Sequence, residues 1–110
     1  MTTYRPGDVV LLAFPFTDGV RQKQRPALVL LDADDPDIVV ARITSQPYTT
    51  AFDVALLDHA KAGLLLPSVV RLHKLATLEK TIVSRCLGHL SASDWARVKS
   101  VLDGLWSLSL

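Results

Sequence analysis

Short runs of apolar and β-branched residues, each bounded by Gly, Pro or Asp, follow one another from Val9 to Leu87. On that pattern Val9 to Ala13, Ala27 to Leu31 and Ile38 to Ile43 read as strands. Further strands are expected near Ala51 to Leu56, Ser68 to His73 and Thr81 to Leu87, and the stretch from Asp58 to Gly63 has room for one helical turn. After Leu90 the period changes. Trp95, Val98, Leu102 and Leu105 recur at helical spacing with Val101 beside them, behind a capping segment Ser91-Ala92-Ser93-Asp94. The stripe predicts a packing helix, with Trp95 and Trp106 serving as core or dimer-surface residues.

Strands first and a helix last predict a mainly β fold with a C-terminal helix. The expected form is a small, strongly twisted SH3-like antiparallel barrel with the helix packed across it. At 110 residues the chain is expected to form one domain, residues 1–110, around a single core. Its 49% hydrophobic content argues against disorder, and no apolar run approaches the roughly 20 residues of a transmembrane helix. Met1-Thr2-Thr3-Tyr4-Arg5-Pro6 carries no export signal, so a soluble, cytoplasmic protein is expected.

A net charge of +1 excludes holding nucleic acid through overall charge, so any such binding needs a local cluster. Arg21, Lys23, Arg25 and Arg42 are the candidates. The acidic run Asp32, Asp34, Asp35 and Asp37, with Pro36 inside it, reads as a solvated turn and matches no calcium loop. The lone Cys86 lies in an apolar stretch and is expected in the core. His59, His73, His89 and Cys86 have no zinc-site spacing, so no metal ligands are assigned. The three histidines are not expected to converge as an acid and base pair.

The strands Ala27 to Leu31 and Ile38 to Ile43 flank a short connection and predict an antiparallel hairpin. If its centre falls between Asp34 and Asp35, Arg25 lies across from Thr44 on the same face. Alternation agrees, placing Val39, Ala41 and Ile43 on one side and Val40, Arg42 and Thr44 on the other. A one-residue bulge would alter this register. On spacing alone Arg25 reads equally as a surface arginine before an edge strand, and Thr44 as a residue suited to a strand.

Gly7-Asp8-Val9-Val10-Leu11-Leu12, Phe14-Pro15-Phe16, a polar loop and Arg25-Pro26-Ala27-Leu28-Val29-Leu30 together resemble the opening of the MazF/PemK family of toxin endoribonucleases. Ile43-Thr44-Ser45-Gln46 and Ser68-Val69-Val70-Arg71-Leu72-His73-Lys74-Leu75 extend the resemblance over most of the chain. It implies the same barrel fold and the toxin component of a type II toxin-antitoxin system. The implied activity is sequence-specific cleavage of single-stranded RNA without metal or cofactor, leaving 2′,3′-cyclic phosphate and 5′-hydroxyl ends. Arg25 and Thr44 match the family's catalytic positions. A homodimer and a cognate antitoxin, whose disordered segment folds across the RNA groove, are the implied partners, with no membrane.

Beyond the catalytic pair, Arg21 and Lys23 are candidates for phosphate contacts, and Ser45 and Gln46 for RNA-binding hydrogen bonds to bases or phosphates. The loop from Thr17 to Gln24, with Gly19 inside it, suits a flap over RNA, anchored by Phe14 and Phe16. Leu64-Leu65-Leu66 and the helix are candidate dimer surface. His73 departs from the short polar or acidic residue that relatives often carry. Two other readings stay open. A CcdB-like gyrase-inhibiting toxin is kept in play by Trp106, although the ending Ser107-Leu108-Ser109-Leu110 departs from that group. A non-catalytic RNA-binding barrel is the other.

Overall fold

The strands fall where the pattern predicts but their ends differ: the second starts at Gln24 and carries Pro26 inside it, the last runs through Gly88 to His89, and others are lengthened or shortened by a tertiary partner. The computed structural model describes residues 2–13 and 23–108. Its strands are β1 (Asp8–Ala13), β2 (Gln24–Asp32), β3 (Asp37–Thr44), β4 (Asp53–Ala55), β5 (Val69–Glu79) and β6 (Val83–His89), with a 3-10 turn at Lys80–Ile82 and helix α1 (Ala92–Leu108). They form a six-stranded sheet in the order β4-β5-β3-β2-β1-β6, and every pairing is antiparallel.

Both faces of this sheet are packed. Val9, Leu28, Ala41, Ile43, Val70 and Leu72 face the helix, where Val98 is fully buried and Trp95, Val101, Leu102 and Leu105 pack beside it. Val10, Leu12, Ala27, Val29, Ile38 and Val40 fill a second cluster on the other face. Leu78 of β5 and Val83 of β6 meet in that second cluster although their strands lie toward opposite ends of the sheet. The sheet is therefore rolled over its own face, which supplies the barrel-like form with β4 and β6 left as edges. A single core was expected; the roll makes two.

The turn between β2 and β3 explains the length of β5. Lys80 is buried, with Nζ 2.9 Å from the buried Asp32 carboxylate, and its N–H donates to the Pro36 carbonyl at 2.9 Å. The chain bends at Lys80 to reach Asp32, so the strand expected at Thr81 to Leu87 starts only at Val83. Asp32 is consequently not part of a solvated turn. Its carboxyl is held below the usual carboxylate range, first by the Tyr4 N–H and then by Lys80. Asp34, Asp35 and Pro36 remain exposed, and Asp34 takes a left-handed φ of 64° that an Asx side chain tolerates. The expected strand at Ala51 to Leu56 contracts to Asp53–Ala55.

One further expectation is corrected, and a second in part, at Leu64 alone. Cys86 is exposed, because β6 pairs on one side only and its Cys86 sits at an edge of the sheet. Leu65 and Leu66 are exposed, whereas Leu64 belongs to the core.

At the helix start Ser91 Oγ accepts the Asp94 N–H at 3.2 Å, and the Ser91 carbonyl accepts the Trp95 N–H at 2.9 Å. Asp94 is fully buried. Its carboxylate turns outward to accept the N–H groups of Leu57 at 3.0 Å and Asp58 at 2.9 Å, while Arg97 holds the same carboxylate at 2.9 Å and the Ala55 carbonyl at 2.7 Å. One acid thus ties the segment after β4 to the first helical turn. Asp94→Ala leaves two backbone donors without their acceptor and is expected to destabilise the fold by about 3 kcal/mol or more. Urea denaturation checks it through a lowered midpoint.

Candidate active site

The β2 and β3 ladder sets the geometry. Near the turn Asp32 faces Ile38 and Leu31 faces Val39; a one-residue shift at Leu30 then gives Val29 facing Val40, Leu28 facing Ala41 and Ala27 facing Arg42. The turn is centred on Asp35 and not between Asp34 and Asp35, and the bulge restores the expected alignment beyond it. Continued to the strand ends, that register sets Arg25 across from Thr44. Alternation then gives Arg25, Ala27, Arg42 and Thr44 one face and Pro26, Leu28, Ala41 and Ile43 the other. The paired register stops at Ala27 and Arg42, next to Pro26, which has no N–H to give a ladder. The hairpin is therefore least bonded where Arg25 and Thr44 stand.

A cavity of about 320 Å³ opens at this end of the sheet, and Arg25, Thr44 and Ser45 all line it. Leu11, Pro26, Ile43 and Leu87 form much of its wall, the segment Gly63 to Leu66 forms another side, and Arg85 and Ser68 add polar groups. The segment is seated by two glycines. A Cβ on Gly63, whose φ is +82°, would lie 2.1 Å from the Leu87 carbonyl oxygen, and one on Gly88 would lie 2.6 Å from the Ala62 carbonyl carbon. The turn before it holds Ala62 N–H on the Asp58 carbonyl at 3.3 Å and on that of His59 at 3.1 Å, a single turn where one was expected.

Arg25 and Arg85 give the cavity two cationic side chains. Among the described residues Lys23, Arg25, Arg42 and Arg85 take part in no ion pair. Thr44 Oγ1 accepts the Gln46 N–H at 3.2 Å, and the Gln46 side-chain oxygen accepts the Tyr48 hydroxyl at 2.8 Å. The Arg71 guanidinium carbon lies 3.6 Å from the centre of the Tyr48 ring, and Arg71 Nε donates to Asp53 Oδ1 at 2.9 Å. Arg42 is directly opposed to Arg71, and Arg71 to Asp53, across the sheet. A row from β2 to β4 thus ends on a buried ion pair. Burial alone would raise the Asp53 carboxyl, but bonds from Arg71 and Thr50 outweigh it and hold it below its ordinary value.

Of the residues singled out from the sequence, Arg25, Thr44 and Ser45 share the cavity, and Gln46 adjoins it through Thr44. Lys23 precedes β2 and is exposed. Arg21, Phe14, Phe16, Gly19 and most of the Thr17 to Gln24 loop lie outside the described residues. The histidines are apart: His89 Nδ1 meets Asp8 at 2.8 Å, and His73 lies beside Arg71 at 3.4 Å with the Phe52 ring 5.4 Å away. Partial burial and then Arg71 push the His73 imidazole below its ordinary 6.5. Sequence reasoning assigned no role to Arg85, Tyr48 or Asp53. For Arg71 the signal was present, a charge inside the apolar run Val69-Val70-Arg71-Leu72.

Residues 5–105 match the family model of PemK-like, MazF-like toxins of type II toxin-antitoxin systems. Among solved structures the chain is similar to MazF from Deinococcus radiodurans, with 25% identity over 97% of this chain and 99% of that one and a TM-score of 0.76. The fold is also that of a MazF toxin of Mycobacterium tuberculosis, 23% identical over 91% of this chain and 96% of that one, with a TM-score of 0.75. It is shared by a mycobacterial endoribonuclease solved with its cognate antitoxin, at 19% identity over 96% of this chain and 97% of that one and a TM-score of 0.75. No curated protein sequence matches the chain.

Folding lowers the Asp53 pKa, so as pH falls the unfolded chain takes up this proton first. The stability given by the Asp53 and Arg71 pair is therefore full above 3.8 and lost as pH falls below it. Asp53→Asn is expected to cost on the order of 3 kcal/mol at neutral pH by leaving Arg71 buried without its partner. The gap between the two proteins should close in acid, which unfolding midpoints measured across pH check directly.

Proposed function

The chain belongs to the PemK-like and MazF-like toxins of type II toxin-antitoxin systems, and on that premise we propose an endoribonuclease that cuts single-stranded RNA at the Arg25 and Thr44 end of the sheet. The observation that carries this reading is that Arg25 and Thr44, at the ends of adjacent strands, line one cavity, and the paired register, which ends at Ala27 and Arg42, would oppose them if continued by two residues. Attack of a 2′-hydroxyl on the neighbouring phosphodiester adds negative charge to the phosphorane oxygens, and the departing 5′-oxygen needs a proton. The Arg25 guanidinium offers forked donors to that charge, and a donor aimed in this way is worth on the order of 3 kcal/mol. Thr44 adds a neutral hydroxyl donor beside it. The products are a 2′,3′-cyclic phosphate and a 5′-hydroxyl, and the step draws on no metal or cofactor.

Single-stranded RNA suits this end of the sheet because its unstacked bases can enter a recess, and the apolar cavity wall accepts a flat base while Ser45 and Gln46 supply hydrogen bonds. Lys23 and Arg42, with Arg21 shortly before them in the sequence, are the candidate cations for the flanking phosphates. The cognate antitoxin is the second partner, covering the same groove with a segment that folds on binding. None of the described helices is long and apolar enough to cross a membrane, and a cytoplasmic setting fits the RNA target. Exposed Leu57, Leu65, Leu66 and Trp106 support a homodimer.

Purified protein in excess EDTA should cut mixed-sequence RNA and leave the ends named above. Arg25→Ala, folded by circular dichroism, should cut at least about 100-fold more slowly. Equal cutting by Arg25→Ala overturns the site, and an inert unmutated chain moves the reading to gyrase inhibition or RNA binding without cleavage. Light scattering at micromolar concentration should return the mass of a dimer; a monomer refutes the assembly.

A further inference from the structure

Arg71 is a costly residue in its place. It is buried within β5, so it presents little of itself to a ligand, and a buried ion pair generally contributes less stability than apolar packing of similar volume. Its groups are engaged by neighbours. Nε donates to Asp53, Nη2 lies 3.4 Å from His73 Nε2, and the Tyr48 ring covers its plane at 3.6 Å. Asp53 is fixed in turn, since its second oxygen accepts the Thr50 hydroxyl at 2.7 Å and the Thr50 N–H at 3.0 Å.

Tyr48 is thereby held at both ends, its ring on Arg71 and its hydroxyl on the Gln46 side chain. A backbone bond from the Tyr48 N–H to the Gln46 carbonyl, at 3.0 Å, adds a third tie to the same residue. Gln46 then gives its own N–H to Thr44 Oγ1. That bond has a chemical consequence. A hydroxyl oxygen that accepts from a backbone N–H has one lone pair occupied, and its proton is left to point away and donate elsewhere.

We propose that Tyr48 and Arg71 are positioning residues for Thr44, their chain of contacts from Asp53 to Gln46 fixing the Gln46 N–H so that the Thr44 hydroxyl is turned to donate to the scissile phosphate. The inference rests on the nuclease reading for its catalytic half, and on geometry alone for the rest. Neither residue touches substrate in this scheme; both act through Thr44.

Two readouts keep the halves apart. Amide hydrogen exchange at Gln46 reports the relay whether or not RNA is cut. Tyr48→Phe keeps the ring on Arg71 and the backbone bond but loses the hydroxyl bond to the Gln46 side chain, and Arg71→Lys keeps the charge but loses the plane beneath Tyr48. Both should speed Gln46 exchange while the β2 and β3 core amides stay protected. Each should also lower kcat by roughly five- to tenfold with KM little changed, the pattern of an interaction made in the transition state. On a Thr44→Ala background neither substitution should lower kcat further, whereas on Thr44→Ser the dependence should return. Unchanged Gln46 exchange overturns the relay, and an equal fractional loss on Thr44→Ala overturns its action through Thr44. If exchange responds as expected but the unmutated chain cuts no RNA, the nuclease reading falls and takes the catalytic half with it.

Discussion

The register of β2 against β3 is the constraint on which the rest depends. One residue of slip would send Arg25 to the opposite face from Thr44, because side chains alternate along a strand. The alignment is reached through two compensating irregularities, a turn centred on Asp35 and a bulge at Leu30. What holds it is burial on both faces of the hairpin. Leu28 and Ala41 face the helix, and Val29 and Val40 face the rolled side. A slip would exchange these sets and break both clusters at once. Pro26 then weakens the ladder locally, so the same hairpin that is fixed along its length is open at its end.

Polar burial does a complementary job around this frame. Asp32, Asp53 and Asp94 each sit away from solvent, and each has at least one oxygen engaged by a group from a distant part of the chain. Asp32 draws Lys80 to the tip of the hairpin, Asp53 draws Arg71 against the loop after β3, and Asp94 draws the segment after β4 onto the helix. Loops that would otherwise be governed only by their own turn chemistry are thus fixed from elements far away in sequence. The cavity benefits directly, since one wall is the segment that Gly63 and Gly88 allow to lie against β6.

This arrangement suits phosphodiester chemistry for an electrostatic reason. The molecule as a whole is close to neutral, yet arginines from β2, β3 and β6 lie around one end of the sheet without carboxylate partners among the described residues. Charges held at a recess with apolar walls interact more strongly with an anion than the same charges spread over a wet surface. Arg71, by contrast, is paired with Asp53 and covered by the Tyr48 ring.

Local pattern determined the strands and the closing helix with its Ser91 cap, because alternation, helical period and turn residues are properties of neighbouring positions; it suggested Arg25 across from Thr44, and the family resemblance made that pair the candidate site. The Arg-Pro step and the Ile43 to Gln46 stretch marked the family for the same reason. What the tertiary structure alone decided is where those elements end and what surrounds the pair. Lys80 shortens β6 by reaching for Asp32, an edge position exposes Cys86 despite its apolar neighbours, and the roll of the sheet makes two cores of the expected one. Arg71 was visible as a charge in an apolar run, but its meaning depends on Asp53 and Tyr48. Partnership between residues distant in the sequence is set by packing, and packing is a property of the whole fold that no local window contains.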